Sequence, residues 1–420
     1  MERYKPISLL NLLLSLSEAM DLAGPEIVQH QQRTAFIAWE LGRAAKLPEA
    51  RLEQLFYAAL LHDIGALSVE EKYSILHETE EAFGDHGARG EVLLRKLPFL
   101  GEAASLVGDH HTDWEDRTDT LSGNLTLERQ ILQFADILER SIARGTYILY
   151  QQQELTERMN KMSGTVLHPD VVELFNAVAG REEFWLDMTS RRLYPLLLNS
   201  GPSRRIEVGM ENLFQIAEIF ANIIDFRSRF TSTHSSGVSA SATMIAKMFG
   251  LTESEVVSME VAGYLHDLGK LAIPNSILEK NGPLTRDEYS LMRSHTYYTY
   301  SVLNTIGGLQ QIAEWGAYHH ERLDGSGYPF HCKVTELSIG ARIMMVADVF
   351  TAMAEDRPYR KGMPRVEIIR ILKEYASRNL LEKRIVDLVV DDYQQVHSFM
   401  KQKQDAARSF YESQFAPNRH

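Results

Sequence analysis

Cysteine is nearly absent. Cys332 stands alone among 420 residues, which excludes an internal disulfide framework and fits a reducing, cytoplasmic setting. Long apolar runs are missing too, and nothing approaches the roughly 20 apolar residues of a membrane span. The stretch ISLLNLLLSLSEAM has the look of a signal-peptide core, but a similar segment recurs later, so it reads as an amphipathic helix. Positive charge is also short. Lys and Arg number 44 against 57 Asp and Glu, a net charge of −13, so the chain lacks the basic footprint that grips long nucleic acid. A small anionic ligand would need cations gathered locally. With only 13 prolines and 44% apolar residues, the chain reads as globular, long enough for two or three domains. Strand-type alternation is scarce, whereas ENLFQIAEIFANIIDF and VEIIRILKEYASRNLL carry apolar residues at three- and four-residue spacing. The predicted fold is all-α. QQQELTERMNKM reads as a solvated helix face, Met344 and Met345 as core filling, and the chain beyond about residue 400 as a fraying tail.

What is present is a duplication. An offset of 204 residues lays AALLHDIG on AGYLHDLG, His30 on His234 and Asp21 on Asp225. In each half the first histidine precedes the His-Asp pair by 32 residues, and a solitary histidine precedes a His-His pair by 24. FADILERSI then corresponds to VADVFTAMA, setting Asp136 opposite Asp348. The chain therefore reads as two tandem copies of one helical domain, residues 1–200 and 201–420, joined near LNSGPSRR.

Each half carries five histidines and two aspartates in the same order. One such histidine is ordinarily a core residue with a satisfied hydrogen bond, but burying the whole set unpartnered would cost several kcal/mol per group. Metal coordination removes that penalty. Imidazole suits iron, zinc or nickel, and carboxylate suits harder ions such as manganese. In the second half the set is His234, His266, Asp267, His295, His319, His320 and Asp348. Seven ligands exceed one tetrahedral zinc and suggest two ions bridged by Asp267, an arrangement suited to hydrolysing phosphate esters. Oxygenase-like redox chemistry is the competing use of such a centre.

HDLGKLAIPNSIL, His295, HHERLDGSGYP and ARIMMVADVFTAMAEDRPYR, in this order over about residues 211–400, resemble the HD-GYP subfamily of the HD metal-dependent phosphohydrolases. The resemblance implies an all-α fold of two HD-type domains, the second of HD-GYP type. It also implies hydrolysis of a cyclic dinucleotide, cyclic di-GMP or 3′,3′-cyclic GMP-AMP, to the linear dinucleotide. By the same resemblance His234, His266, Asp267 and Asp348 hold one divalent ion, and Asp267, His295, His319 and His320 a second, the metal being iron, manganese or nickel. Asp267 and Lys270 are then the catalytic pair. Lys270, Tyr328, Arg357 and Arg360 contact substrate, Tyr328 being held by the glycine-containing turn 325–329. Glu321 and Asp324 buttress that loop. RSRFTSTH offers Phe230 where some relatives place a glutamate for a third ion, so the expected centre is binuclear. The tandem arrangement resembles a group acting on 3′,3′-cyclic GMP-AMP. A catalytically silent receptor working through protein partners is the alternative, and a homodimer or signalling partner fits either reading.

The first half keeps His30, His62, Asp63, His86, His110, His111 and Asp136 as a second candidate metal site. It has Ala66 where the second half has Lys270, and it lacks the Gly-Tyr-Pro turn. Arg140 and Arg144 are the nearest substitutes for the RPYR arginines. Three readings stay open for this half: a regulatory or dimerising domain, a phosphohydrolase with another substrate, and a structural relic.

Overall fold

The computed structural model describes residues 7–22, 27–76, 86–115, 126–202, 206–227, 233–356 and 361–414. The chain divides into two compact units, one formed chiefly by Ser8–Ala66 and Glu70–Glu207, the other chiefly by Val208–His420. Both are helical. Among the described residues, strand is confined to Ile7–Ser8 and Glu207–Val208, with one isolated bridge between Ser163 and Leu167.

In the second unit the His234–Phe249 helix is central and packs against Glu253–Leu265, Ile339–Ala354 and Tyr393–Gln414. Its sequence explains that position. HSSGVSASA presents small side chains in every direction, so neighbouring backbones approach closely on several sides. Opposite Ser239, for example, a Cβ added to Gly263 would lie 2.4 Å from the Ser239 Cα. The surrounding helices begin at side-chain caps: Thr252 with Glu255, and Thr285 with Glu288, form reciprocal capping boxes that satisfy free amides at the helix starts. In the first unit His30–Ala44 holds the corresponding place, against Glu49–Leu61 and Thr126–Arg140. Fully buried Phe134, Phe175 and Trp185 fill its core.

The duplication extends to a detail at the head of each central helix. Asp21 accepts a hydrogen bond from the Gln31 amide at 3.0 Å, and Asp225 accepts one from the Ser235 amide at 2.9 Å. A carboxyl from the preceding helix thus ties down the residue after the first histidine in both units.

Two expectations change. From residue 400 to 414 the chain is not a loose tail, because the Tyr393–Gln414 helix continues through it: Met400 and Gln404 are buried, and Phe226 packs against Phe410 and Tyr411, while residues 415–420 lie outside the described residues. The VEIIRILKEYASRNLL segment is helical only over Arg365–Ser377, the chain turning where Asn379 adopts φ 57°. The segment 151–162 lies on the Ile148–Lys161 helix and its C-cap, buried at Gln151, Leu155 and Met159 and exposed or half-buried elsewhere, and both Met344 and Met345 are fully buried.

Candidate metal centre

Four of the five histidines of the second set reach the centre from a place where a helix starts, ends or turns, and the fifth, His295, from the middle of a helix. His234 is the first residue of its helix, His266 caps the Glu253–Leu265 helix, His295 sits within Arg286–Asn304, and His319 and His320 occupy a short 3-10 turn. Helix ends free the local backbone, which lets His266 and Asp267 project in different directions. Gly269 makes the next turn possible, since a Cβ there would lie 2.0 Å from the His295 carbonyl oxygen.

The imidazoles are oriented from behind. Nδ1 of His266, His295 and His319 each donates to the carbonyl three residues earlier, at 2.7, 2.6 and 2.6 Å. This leaves the Nε2 lone pairs directed at one another and at Asp267. Asp267 stands between two groups. Its Oδ2 is 3.1 Å from His266 Nε2 and 3.9 Å from His234 Nε2, while its Oδ1 is 3.3 Å from His295 Nε2 and 3.8 Å from His319 Nε2. Asp348 closes the first group with Oδ1 3.4 Å from His234 Nε2, and its Oδ2 lies 3.7 Å from His320 Nδ1. Ligand atoms of His234, His266 and Asp348 lie within 4.8 Å of one another, as do those of His295, His319 and His320. Buried His266 Nε2 and Asp267 Oδ1 have no hydrogen-bond partner. Orphaned polar atoms at the focus of so many donors fit a divalent cation.

For Asp267, His295 and His319 the electrostatics agree. Burial would raise the Asp267 carboxyl, but His266, Lys270 and His295 hold it well below the usual carboxylate range. Burial pushes His295 down to about 4 and His319 well below its ordinary value, so both rings are neutral and competent to ligate. His234 goes the other way: burial lowers it, but the carboxylates of Glu355 and Asp348 outweigh burial and lift it to about 10.

Lys270 sets its ammonium 2.5 Å from Asp267 Oδ2. The turn expected to carry Tyr328 is built as its sequence requires: Gly325 has φ +80°, and a Cβ on Gly327 would lie 2.3 Å from the Glu321 Cα. Glu321, fully buried, accepts from the amides of Phe330, His331 and Cys332, and Asp324 accepts from Ser326. The Tyr328 ring comes to 5.0 Å from that of His320. Arg357, Arg360 and Phe230 lie outside the described residues.

Sequence reasoning passed over two residues. Glu355 accepts from His234 Nδ1 at 3.1 Å, and Arg227 donates to the carbonyls of Lys270 and Ile273, pinning the strand of chain that carries Lys270. Helical register held the signal for Glu355: seven residues after Asp348, it falls on the same face.

The first unit assembles its own set. His30 Nε2 lies 3.1 Å from His62 Nε2 and 3.2 Å from Asp63 Oδ2, His86 Nε2 lies 3.7 Å from Asp63 Oδ1, and His111 Nε2 lies 2.9 Å from His86 Nε2. His110 Nε2 is 3.4 Å from His86 Nε2, and Asp136 Oδ1 is 3.5 Å from His62 Nε2. Asp63 Oδ1 and Asp136 Oδ1 are buried without hydrogen-bond partners. Glu139 takes the part of Glu355, 2.5 Å from His30 Nδ1. The cations differ. Ala66 is buried and offers no charge, Arg140 is paired with Asp136 at 3.0 Å, and Arg144 with Glu139 at 2.6 Å. These arginines are engaged by the site's own carboxylates, unlike the free clamps expected of an RPYR substitute.

Residues 27–141 and 218–384 each match the HD domain family. This is an HD-domain protein, with one domain in each half. Its HD domains align together with the 3′3′-cGAMP-specific phosphodiesterase 1 of Vibrio cholerae at 28% identity over 401 residues, 93% of either chain. A stretch of 195 residues, 46% of this chain, aligns with 53% of a cyclic di-GMP phosphodiesterase of Thermotoga maritima at 34% identity. In fold the tandem HD protein is similar to a solved cyclic GMP-AMP specific phosphodiesterase of V. cholerae, with a TM-score of 0.64 at 22% identity over 96% of this chain and 98% of the other.

Proposed function

We propose that this protein is a metal-dependent phosphodiesterase that opens a cyclic dinucleotide to the linear dinucleotide, with residues 201–420 as the catalytic HD-GYP domain. The observation that carries the reading is the pair of ligand groups meeting at Asp267, with His266 Nε2 and Asp267 Oδ1 orphaned at the focus and Lys270 alongside. His234, His266, Asp267 and Asp348 would hold one ion, and Asp267, His295, His319 and His320 would hold the other. Iron, manganese or nickel in these positions would supply Lewis acidity and a nucleophilic water for in-line attack on phosphorus. The chain's own residues do the rest. Asp267 fixes both ligand groups relative to each other, Lys270 offsets charge developing on the phosphodiester and its leaving oxygen, and the Glu321-braced loop keeps Tyr328 against the substrate. Arg357 and Arg360 are proposed as phosphate clamps.

The alignment across both domains with a 3′3′-cGAMP-specific relative makes 3′,3′-cyclic GMP-AMP the first substrate to test and cyclic di-GMP the second. Among the described residues no helix is long and apolar enough to cross a membrane, and we place the reaction in the cytoplasm. The first domain is assigned a regulatory role, with a metal set of its own but no counterpart of Lys270.

The test is anaerobic incubation of protein loaded with ferrous iron or manganese, without reductant, with each ring, the products resolved by chromatography. A linear dinucleotide is expected. Two ions per second domain with both rings left intact would instead favour the silent receptor.

A further inference from the structure

Arg293 is a half-buried guanidinium beside the metal centre, and it has no carboxylate or carbonyl partner among the described residues. It lies on the Arg286–Asn304 helix, two residues before His295. Its guanidinium carbon stands 4.6 Å from the centroid of the Tyr328 ring and 6.0 Å from that of Tyr289. Tyr328 connects it to the centre, since the same ring lies 5.0 Å from the ring of His320. Stacking of this kind holds a guanidinium flat and leaves its N–H fork free at the edge, with the donors aligned for two adjacent acceptors. The nearby surface is aromatic. Tyr289 and Tyr297, each four residues from Arg293 along one helix face, are 50% and 51% exposed, and Phe330 is 38% exposed and 6.4 Å from the Tyr297 ring. Exposed rings in a row with an unpaired fork between them are what a flat, acceptor-bearing heterocycle fits.

We propose that Arg293 is a specificity-determining residue that reads a guanine base of the substrate, its fork donating to guanine O6 and N7 while Tyr289 and Tyr297 offer stacking faces. This rests on the phosphodiesterase reading above. Guanine presents two adjacent acceptors on that edge, whereas adenine presents an acceptor beside an amino donor that the guanidinium cannot use. Phosphate is the other partner a guanidinium fork fits. Position favours the base: phosphate is drawn to the ligand groups around Asp267, and Arg293 stands one aromatic ring further out, where a base attached to that phosphate lies. Both candidate rings carry guanine, and cyclic di-AMP carries none.

The test compares metal-loaded wild type, Arg293→Ala and Arg293→Lys on cyclic di-GMP, 3′,3′-cyclic GMP-AMP, cyclic di-AMP and bis(4-nitrophenyl) phosphate, a diester without a base. Ring affinities are read in parallel by calorimetry. For Arg293→Ala we expect kcat/KM on the guanine rings to fall about 10- to 100-fold relative to bis(4-nitrophenyl) phosphate, chiefly through KM, narrowing the preference over cyclic di-AMP. Arg293→Lys keeps the charge but not the fork and is expected to recover little. Parallel losses on the base-free diester or on cyclic di-AMP, loss of metal, or full rescue by lysine would each overturn the assignment. Wild-type protein that binds guanine rings without cleaving them counts against the phosphodiesterase reading alone, and the variant affinities then decide Arg293. Absence of any ring binding removes both.

Discussion

At the scale of single residues, the proposed scheme separates groups that would hold metal from groups that would act on substrate, and the two are expected to respond differently to substitution. Asp267→Ala is expected to abolish ring hydrolysis and to lower metal content together, because both ligand groups meet on its carboxylate. Lys270→Ala is expected to keep its metal, as determined by elemental analysis, while turnover falls about 10²- to 10³-fold. Normal turnover in that variant would remove Lys270 from the reaction. Glu355 touches neither metal nor substrate in this scheme and orients His234 from behind. Glu355→Gln should weaken metal affinity about 10- to 100-fold in a chelator competition. An unchanged affinity would show that the His234 ring is held by packing alone.

At the scale of elements, two devices hold the site. One is the loop after His320, where a single buried carboxylate, Glu321, satisfies three consecutive amides from Phe330 to Cys332. Glu321→Ala leaves those three donors unpaired, that of Cys332 in a buried position. We expect the second unit to lose about 2–4 kcal/mol in denaturant unfolding, with a raised KM as Tyr328 loosens. The other device is the carboxyl that ties each central helix to the one before it. Burial lifts Asp21 and Asp225 to about 7, overcoming the opposing pull of His30 and His234. Their folded values therefore exceed the ordinary 3.8 of an exposed carboxyl. Between those values the folded state keeps the proton that the unfolded chain releases, so the contribution is fully present below about pH 4 and is lost as pH rises towards 7. Asp225→Asn cannot titrate. In chelator-treated protein, the melting temperature of Asp225→Asn minus that of wild type should increase from pH 5 to pH 7.5. A constant difference would mean that Asp225 is ionised throughout in the folded protein.

At the scale of the whole molecule, one helical plan is used twice with unequal chemistry. Both units orient their first histidine with a glutamate, yet Glu139 comes three residues after Asp136 and Glu355 seven after Asp348, one helical turn apart on the same face. Lys270 stands beside Asp267 in the second unit, whereas the equivalent position of the first is Ala66 and its sequence has no Gly-Tyr-Pro turn; the proposed reaction is assigned to the second unit on that ground. Apolar residues at three- and four-residue spacing determined the all-α fold, and the repeated spacings, 32 residues between first histidine and His-Asp pair and 24 between solitary histidine and His-His pair, determined the duplication and both seven-residue sets, because equivalent residues recur at the same point of a repeated helical plan. Sequence could not say what orients or occupies those residues. The partners of His234 and His30, the pinning of the Lys270 segment by Arg227, and the fork of Arg293 on Tyr328, unpaired among the described residues, are contacts between chain segments far apart in number. The same holds for the last helix, whose polar 401–414 stretch reads as a tail until Phe226 and Glu355 are found against it. Local pattern fixes which face of a helix turns inward, whereas the identity of the group it meets there is decided only when distant segments pack.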